Sequence, residues 1–171
     1  MSRAINDLTK ILGRLSKTVQ SAIDRVAMQA VGDFATNLIV KRTRLGYGVN
    51  QQYGPKGKFL SLSPLYVLAR SKQSRLDSTT RPNKSNLTNT GQMLRSMQAK
   101  YKSKGVMIIE PTGTRSDSKL SNLQVAEFAS DDPGKRPFNR LSALEFQQVL
   151  RFYRKTFGDL IKKSSKGSLI R

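Results

Sequence analysis

The chain contains no cysteine, no histidine and only 11 acidic residues against 31 basic ones. Without cysteine there are no disulfides and no thiolate chemistry, which suits a reducing cytosol or a particle assembled there. Without histidine the commonest general base and metal ligand is missing, so only a carboxylate site for Mg²⁺ or Ca²⁺ could remain. The acids do not cluster as such a site would need. Asp117 and Glu127 stand apart, and the adjacent pair Asp131 and Asp132 precedes Pro133-Gly134, where acids commonly form turns. Long apolar runs are also missing. Val106 to Ile109 is the longest aliphatic one, far too short to span a bilayer. The opening Met-Ser-Arg-Ala-Ile-Asn-Asp has no signal-peptide core, so the expectation is a soluble protein made without export and without membrane contact. Gly54-Pro-Lys-Gly57-Lys58-Phe59 lacks the spacing and the following Ser or Thr of a phosphate-binding P-loop. These absences argue against an enzyme, a metal site or a cofactor.

What is present is positive charge, unevenly spread. Phe34 to Lys104 carries fourteen bases and a single acid, Asp77, a local charge of +13 out of the chain's +20. Such a field repels itself and opposes compaction, so an anionic neighbour is expected near it. Nucleic acid is the first candidate. Between residues 42 and 60, Tyr47, Tyr53 and Phe59 alternate with Arg42, Arg44, Lys56 and Lys58, a mixture that single-strand binders use for stacking and phosphate contact. No RRM, KH, zinc-finger or helix-turn-helix signature accompanies it. Arg70, Lys72 and Arg75 extend the basic set, and the whole is expected to touch either a DNA path or an acidic protein surface.

Apolar periodicity organises the rest as one α+β domain over residues 1–171: a long N-terminal helix, a small antiparallel β-sheet and a C-terminal helix. Ile5, Leu8, Leu12, Leu15, Val19, Ala22 and Val26 follow an a/d heptad, and from Ile23 the stripe broadens toward Phe34 and Leu38. The helix is expected over 2–41, with Gly13 and Gly32 as weak points. At about 1.5 Å per residue it would span roughly 50 Å, against a radius of gyration of about 15 Å for a domain of this size. Leu8, Leu12, Leu15 and Val19 are therefore expected to contact a neighbouring subunit. The alternative is a helix laid across its own sheet and bent at Gly13. A hydrophobic content of 37% is low for a self-sufficient globule and favours completion by partner chains.

Glycine and proline mark 42–60 as a surface loop, followed by a two-turn helix through Leu65 and Leu68, and a second polar connection spans 71–90. A hairpin is expected from Leu94–Tyr101 and Val106–Glu110 about Gly105, with Met107 and Ile109 sharing a face. A short helix follows over 120–129 with Leu123, Ala126 and Phe128 inward. Ser142-Ala-Leu-Glu145 is a capping box that opens the last helix, which should end near Lys162 and Lys163 and leave 164–171 as a frayed basic tail. The expected core is Leu94, Ile108, Phe128, Phe138, Val149 and Phe157.

Three segments in this order resemble bacteriophage tail-completion, or neck, proteins. Leu87-Thr-Asn-Thr-Gly91-Gln-Met-Leu94-Arg95-Ser96-Met97 is similar to the family's "L-x-x-TG-x-L-x-x-S-hydrophobic" signature. Val125-Ala-Glu-Phe128 resembles its short helix before a glycine-containing break, and Arg136-Pro137-Phe138 its turn into the last helix. The long basic insertion before Thr90-Gly91 departs from the family's compact pattern. The resemblance implies a structural virion protein, a head-tail connector subunit forming a homo-oligomeric ring of six or twelve copies. That ring would sit in the neck, assembled in the host cytoplasm, between the portal-side connector or adaptor and the tail-terminator or tail-tube proteins. Genomic DNA would pass non-specifically through its lumen. Apart from the resemblance, the charge leaves open a free nucleic-acid-binding protein acting through the 42–60 loop.

Overall fold

The computed structural model describes residues 2–49, 58–59, 61–73, 81–84, 87, 91–103, 105–116, 119–130 and 138–165; side chains of 2–16, 18, 130, 164 and 165 lie outside that description. Helix α1 (Ser2–Arg44) leads to α2 (Pro64–Ser71) and the single turn α3 (Gln92–Arg95). Strands β1 (Met97–Ser103) and β2 (Val106–Pro111) follow, then α4 (Asn122–Ser130) and α5 (Ala143–Ser165). The chain is thus α+β, built from a long first helix, one antiparallel hairpin and a long last helix.

Two apolar lines run along α1 and diverge. Ile23, Ala27, Val31, Ala35, Ile39 and Thr43 are all buried and stand four residues apart. With 3.6 residues per turn each step overshoots by about 40°, so the ridge sweeps roughly 200° around the helix. That sweep lets one helix meet α5 on one side and the hairpin on another. The heptad line does not follow it: Val19 is 46% and Val26 56% exposed, and Ala22 between them is exposed too.

Helix α1 runs past the expected boundary at residue 41 and ends at Arg44. The first residue that stops it is Gly46, which takes φ 87° while its N–H donates to the Thr43 carbonyl at 2.9 Å. Lys41, Arg42 and Arg44 in the last turn suit the negative end of the helix dipole. Gly32 is a place of close approach. A Cβ there would lie 2.7 Å from Ala99 Cβ and 2.6 Å from Met107 Cε, because the hairpin packs flush on the helix. Gln29 Nε2 donates to the Ala99 carbonyl at 3.0 Å and fixes the same contact.

The hairpin pairs Met97 with Pro111 through Tyr101 with Met107, with a register shift between Tyr101 and Ser103. Gly105 takes φ 73° at the turn, as expected. Leu94 and Arg95 belong to α3 rather than to β1. Gly91 (φ 69°) caps that turn in the left-handed region, so the chain enters it tightly and drives Met93 and Leu94 into the core. A second capping box, unanticipated, starts α4: Gln124 N–H donates to Ser121 Oγ at 3.1 Å, and Ser121 N–H to Gln124 Oε1 at 2.9 Å. The expected box at α5 is present, with Ser142 N–H donating to Glu145 Oε2 at 2.8 Å. Helix α5 continues to Ser165, so it takes in the first two positions of the expected tail, and 166–171 lie outside the described residues.

The larger core cluster joins Ile39, Phe59, Met93, Leu94, Met97, Ala126 and Phe138; a smaller one joins Val31, Ala35 and Val149. Ile109 and Leu141 touch both, and Phe34 stacks on Phe152 with ring centroids 4.4 Å apart. Phe128, expected inside, is 61% exposed, and Leu123 is 37% exposed. On α4 the buried residues are Ala126 and, one turn earlier, Asn122, while Val125 and Ala129 pack on the core half-buried. Ile108 and Phe157 are half-buried. Helix α2 is inverted: Leu65, Tyr66 and Leu68 are exposed while Arg70 is buried.

Two substitutions test this packing by urea unfolding. Phe138→Ala should cost about 3–5 kcal/mol, since the ring is fully buried. Gly32→Ala should destabilise by about 1–2 kcal/mol even though alanine is the better helix former, because overpacking against Ala99 outweighs propensity. A stabilised Gly32→Ala protein would mean that the hairpin can lift off α1.

Candidate nucleic-acid interface

The bases that looked alike in sequence divide into two kinds. Arg42 is internal. Its guanidinium pairs with Glu145 and donates to the Phe138 carbonyl at 2.5 Å and the Arg140 carbonyl at 2.8 Å. Both side chains of the pair are only 11% exposed. Burial lowers the Arg42 pKa from its ordinary value, and the Glu145 carboxylate opposes that shift. Glu145 Oε2 is also the oxygen that caps α5 through Ser142, so one carboxylate starts a helix and anchors the end of another.

Arg70 is likewise not a surface contact. It is 3% exposed, donates from Nη1 to the Lys84 carbonyl at 2.9 Å and lies 5.8 Å from the Tyr66 ring centre. Lys84 N–H in turn donates to the Arg81 carbonyl at 2.9 Å. Arg70 therefore ties the Arg81–Lys84 turn to α2. Phe59, expected as a stacking aromatic, is a core residue at 6% exposure. Its N–H donates to the Gly46 carbonyl at 2.8 Å, and Tyr47 and Lys58 form an isolated antiparallel bridge beside it. The returning chain is thereby sewn to the end of α1, which leaves Tyr47 half-buried.

These three anchorages build an open cleft of about 680 Å³ lined by Leu45, Gly46, Lys58, Phe59, Ser61, Arg81, Asn83 and Lys84. A neighbouring hollow of about 500 Å³ shares Leu45 and Lys84 and adds Asn37, Val40, Lys41 and Arg44. Five cations meet around Leu45: Lys41, Arg44, Lys58, Arg81 and Lys84. The described lining residues include no carboxylate.

Of the residues expected to form interfaces, Lys58 and Arg44 reach this cleft, and Lys72 is exposed just past α2. Tyr53, Lys56 and Arg75 lie outside the described residues. Leu8, Leu12 and Leu15 are helical positions of α1 whose side chains are outside them too, while Val19 is exposed. Sequence reading missed Lys41, Arg81 and Lys84. The one signal for the latter two was Arg81-Pro82-Asn83, a turn-forming run that would present flanking bases together. Among the described residues no three acids meet to hold a metal ion; Asp117, Asp131 and Asp132 lie outside those residues, and Glu127 is exposed on α4. No described helix is long and apolar enough to cross a membrane.

Compared with protein-family models, curated proteins and solved structures, the chain has no match.

Arg42→Leu should lower stability by about 3–5 kcal/mol, because it strands a buried carboxylate. The double variant Arg42→Leu/Glu145→Leu should recover much of that loss, less the capping contribution of about 1 kcal/mol. Denaturant midpoints of the two singles and the double check this. Strict additivity would show that the two groups do not depend on each other.

Proposed function

We propose that this chain is a structural protein of a tailed-phage virion, forming a ring in the neck that joins head to tail around the DNA exit channel. The observation that carries the reading is the heptad line of α1. Val19, Ala22 and Val26 continue a repeat that begins at Ile5, yet they are left exposed while a separate ridge serves the chain's own core. An apolar seam with 3.5-residue spacing is what a helix keeps for another helix, and a second copy supplies it. The core placement of Gly91, Leu94 and Phe138 supports the resemblance at the level of fold, since each acts as a packing or turn residue. Among the described residues no acids group as a metal site would need, which fits a subunit whose work is assembly.

The partners proposed with it are the connector above, the tail terminator or tube below, and DNA passing within. A free nucleic-acid-binding protein is the second reading, favoured by the cleft around Leu45. The two readings separate in the particle. As a neck subunit the chain should be found in finished virions, and deleting its gene should leave filled heads and separate tails. Joined, infectious particles from the deletion strain would end the proposal.

The seam has its own test. Val19→Lys/Val26→Lys alters exposed positions, so the melting temperature of the isolated chain should stay put while incorporation into particles is lost. Unchanged incorporation would remove the seam as a subunit contact.

A further inference from the structure

We infer that the cleft around Leu45 is a binding site for the phosphodiester backbone of nucleic acid, gripped by Lys41, Lys58, Arg81 and Lys84 with Arg44 behind them. The inference takes nucleic acid as the polyanion from the reading above, but it names a grip at one place where that reading needs only passage.

Several features favour this ligand. The lining joins side chains from three stretches distant in sequence: the end of α1, the returning chain at Lys58, Phe59 and Ser61, and the turn at 81–84. Each stretch is fixed by bonds that do not use the cations themselves. Gly46 and Phe59 pair through the backbone, Tyr47 bridges Lys58, and buried Arg70 holds the Lys84 carbonyl. The ammonium and guanidinium groups are thus presented by a frame already paid for in folding. The chain holds 31 bases against 11 acids, so its own carboxylates cannot neutralise them all, and none lines the cleft among the described residues. Asn83 and Ser61 add neutral hydrogen-bonding groups at the same wall. An acidic protein segment would be expected to seat apolar side chains between its charges; among the described lining residues Leu45 is exposed, Val40 is half-buried and Phe59 is buried in the core. A chain of evenly spaced phosphates asks only for cations at intervals, which is what the wall offers. Arg70 is the positioning residue of this site.

The test measures affinity of the purified full chain for a duplex, a single strand of the same length and polyglutamate, each over a salt series. The variant Lys41→Gln/Lys58→Gln/Arg81→Gln/Lys84→Gln keeps every backbone bond that builds the cleft. A control, Arg151→Gln/Arg154→Gln/Lys155→Gln/Lys163→Gln, removes the same charge from exposed positions of α5. Circular dichroism melting confirms that both fold as the parent does. The cleft variant should flatten the log–log salt slope by about 3.6 on duplex, at roughly 0.9 for each of four lost phosphate contacts. On the single strand the flattening should be somewhat smaller, and the control should change either slope by less than about 1. A flattening on the single strand that equals or exceeds that on duplex would identify the single strand as the form the cleft holds, because each contact there releases fewer counterions. Equal losses in cleft variant and control, or no binding by the parent at low salt, would overturn the inference. So would polyglutamate bound as tightly as DNA through the same four residues, which would make the cleft a site for acidic protein. None of these outcomes bears on whether the chain is found in virions, so the two proposals can fail separately.

Discussion

The contact between Arg42 and Glu145 joins positions 103 residues apart and ties the end of the first long helix to the start of the last. Nothing else in the described residues combines so many duties in two side chains. The carboxylate answers the first turn of α5, and the guanidinium gathers the carbonyls of Phe138 and Arg140, which carry the chain into that helix. Phe138, buried to zero exposure, is held at the same point. A buried ion pair of this kind adds little net stability over an apolar pair, but it tolerates few alternatives, because each partner is costly to leave alone. It specifies where α5 begins and how α1 must present its last turn. Gly46, the returning segment at Phe59 and the cleft around Leu45 all follow from that placement.

The chain's excess charge is managed by the same arrangement. A net +20 on 171 residues works against compaction. Two of the arginines in the most basic stretch are withdrawn into the interior, each facing carbonyl oxygens, and their burial organises the fold. Five other bases, Lys41, Arg44, Lys58, Arg81 and Lys84, are gathered where three segments meet. Internal and external cations are therefore coupled: Arg70 sets the turn that carries Arg81 and Lys84, and Arg42 sets the helix end that carries Lys41 and Arg44.

The elements of the fold were largely legible from periodicity and turn chemistry. The heptad, the glycine at 105 and the Ser142–Glu145 box each report a local preference that the tertiary structure does not override. The second box at Ser121 and Gln124 was equally local and was passed over. Arginine roles were not legible. Nothing local distinguishes Arg42 from Arg44, or Arg70 from Lys72, since the difference lies in which carbonyls arrive from about a hundred residues away for Arg42 and from the 84 turn for Arg70. Phe128 and Leu123 misled for a related reason. The side of α4 turned inward carries Asn122, Val125, Ala126 and Ala129, which leaves Leu123 and Phe128 on its outer side. The cleft was visible only in part, through Lys58 and Arg44, because its other wall comes from a stretch without apolar pattern.

The bridge between Tyr47 and Lys58 also governs how the chain tolerates insertion. It pins both ends of the ten intervening residues, 48–57, at a point already secured by Phe59 in the core. Once a loop's ends are fastened, lengthening it is cheap: doubling the span adds only about 0.6 kcal/mol of closure entropy. A peptide inserted between Tyr47 and Lys58 should for that reason leave the scaffold in place.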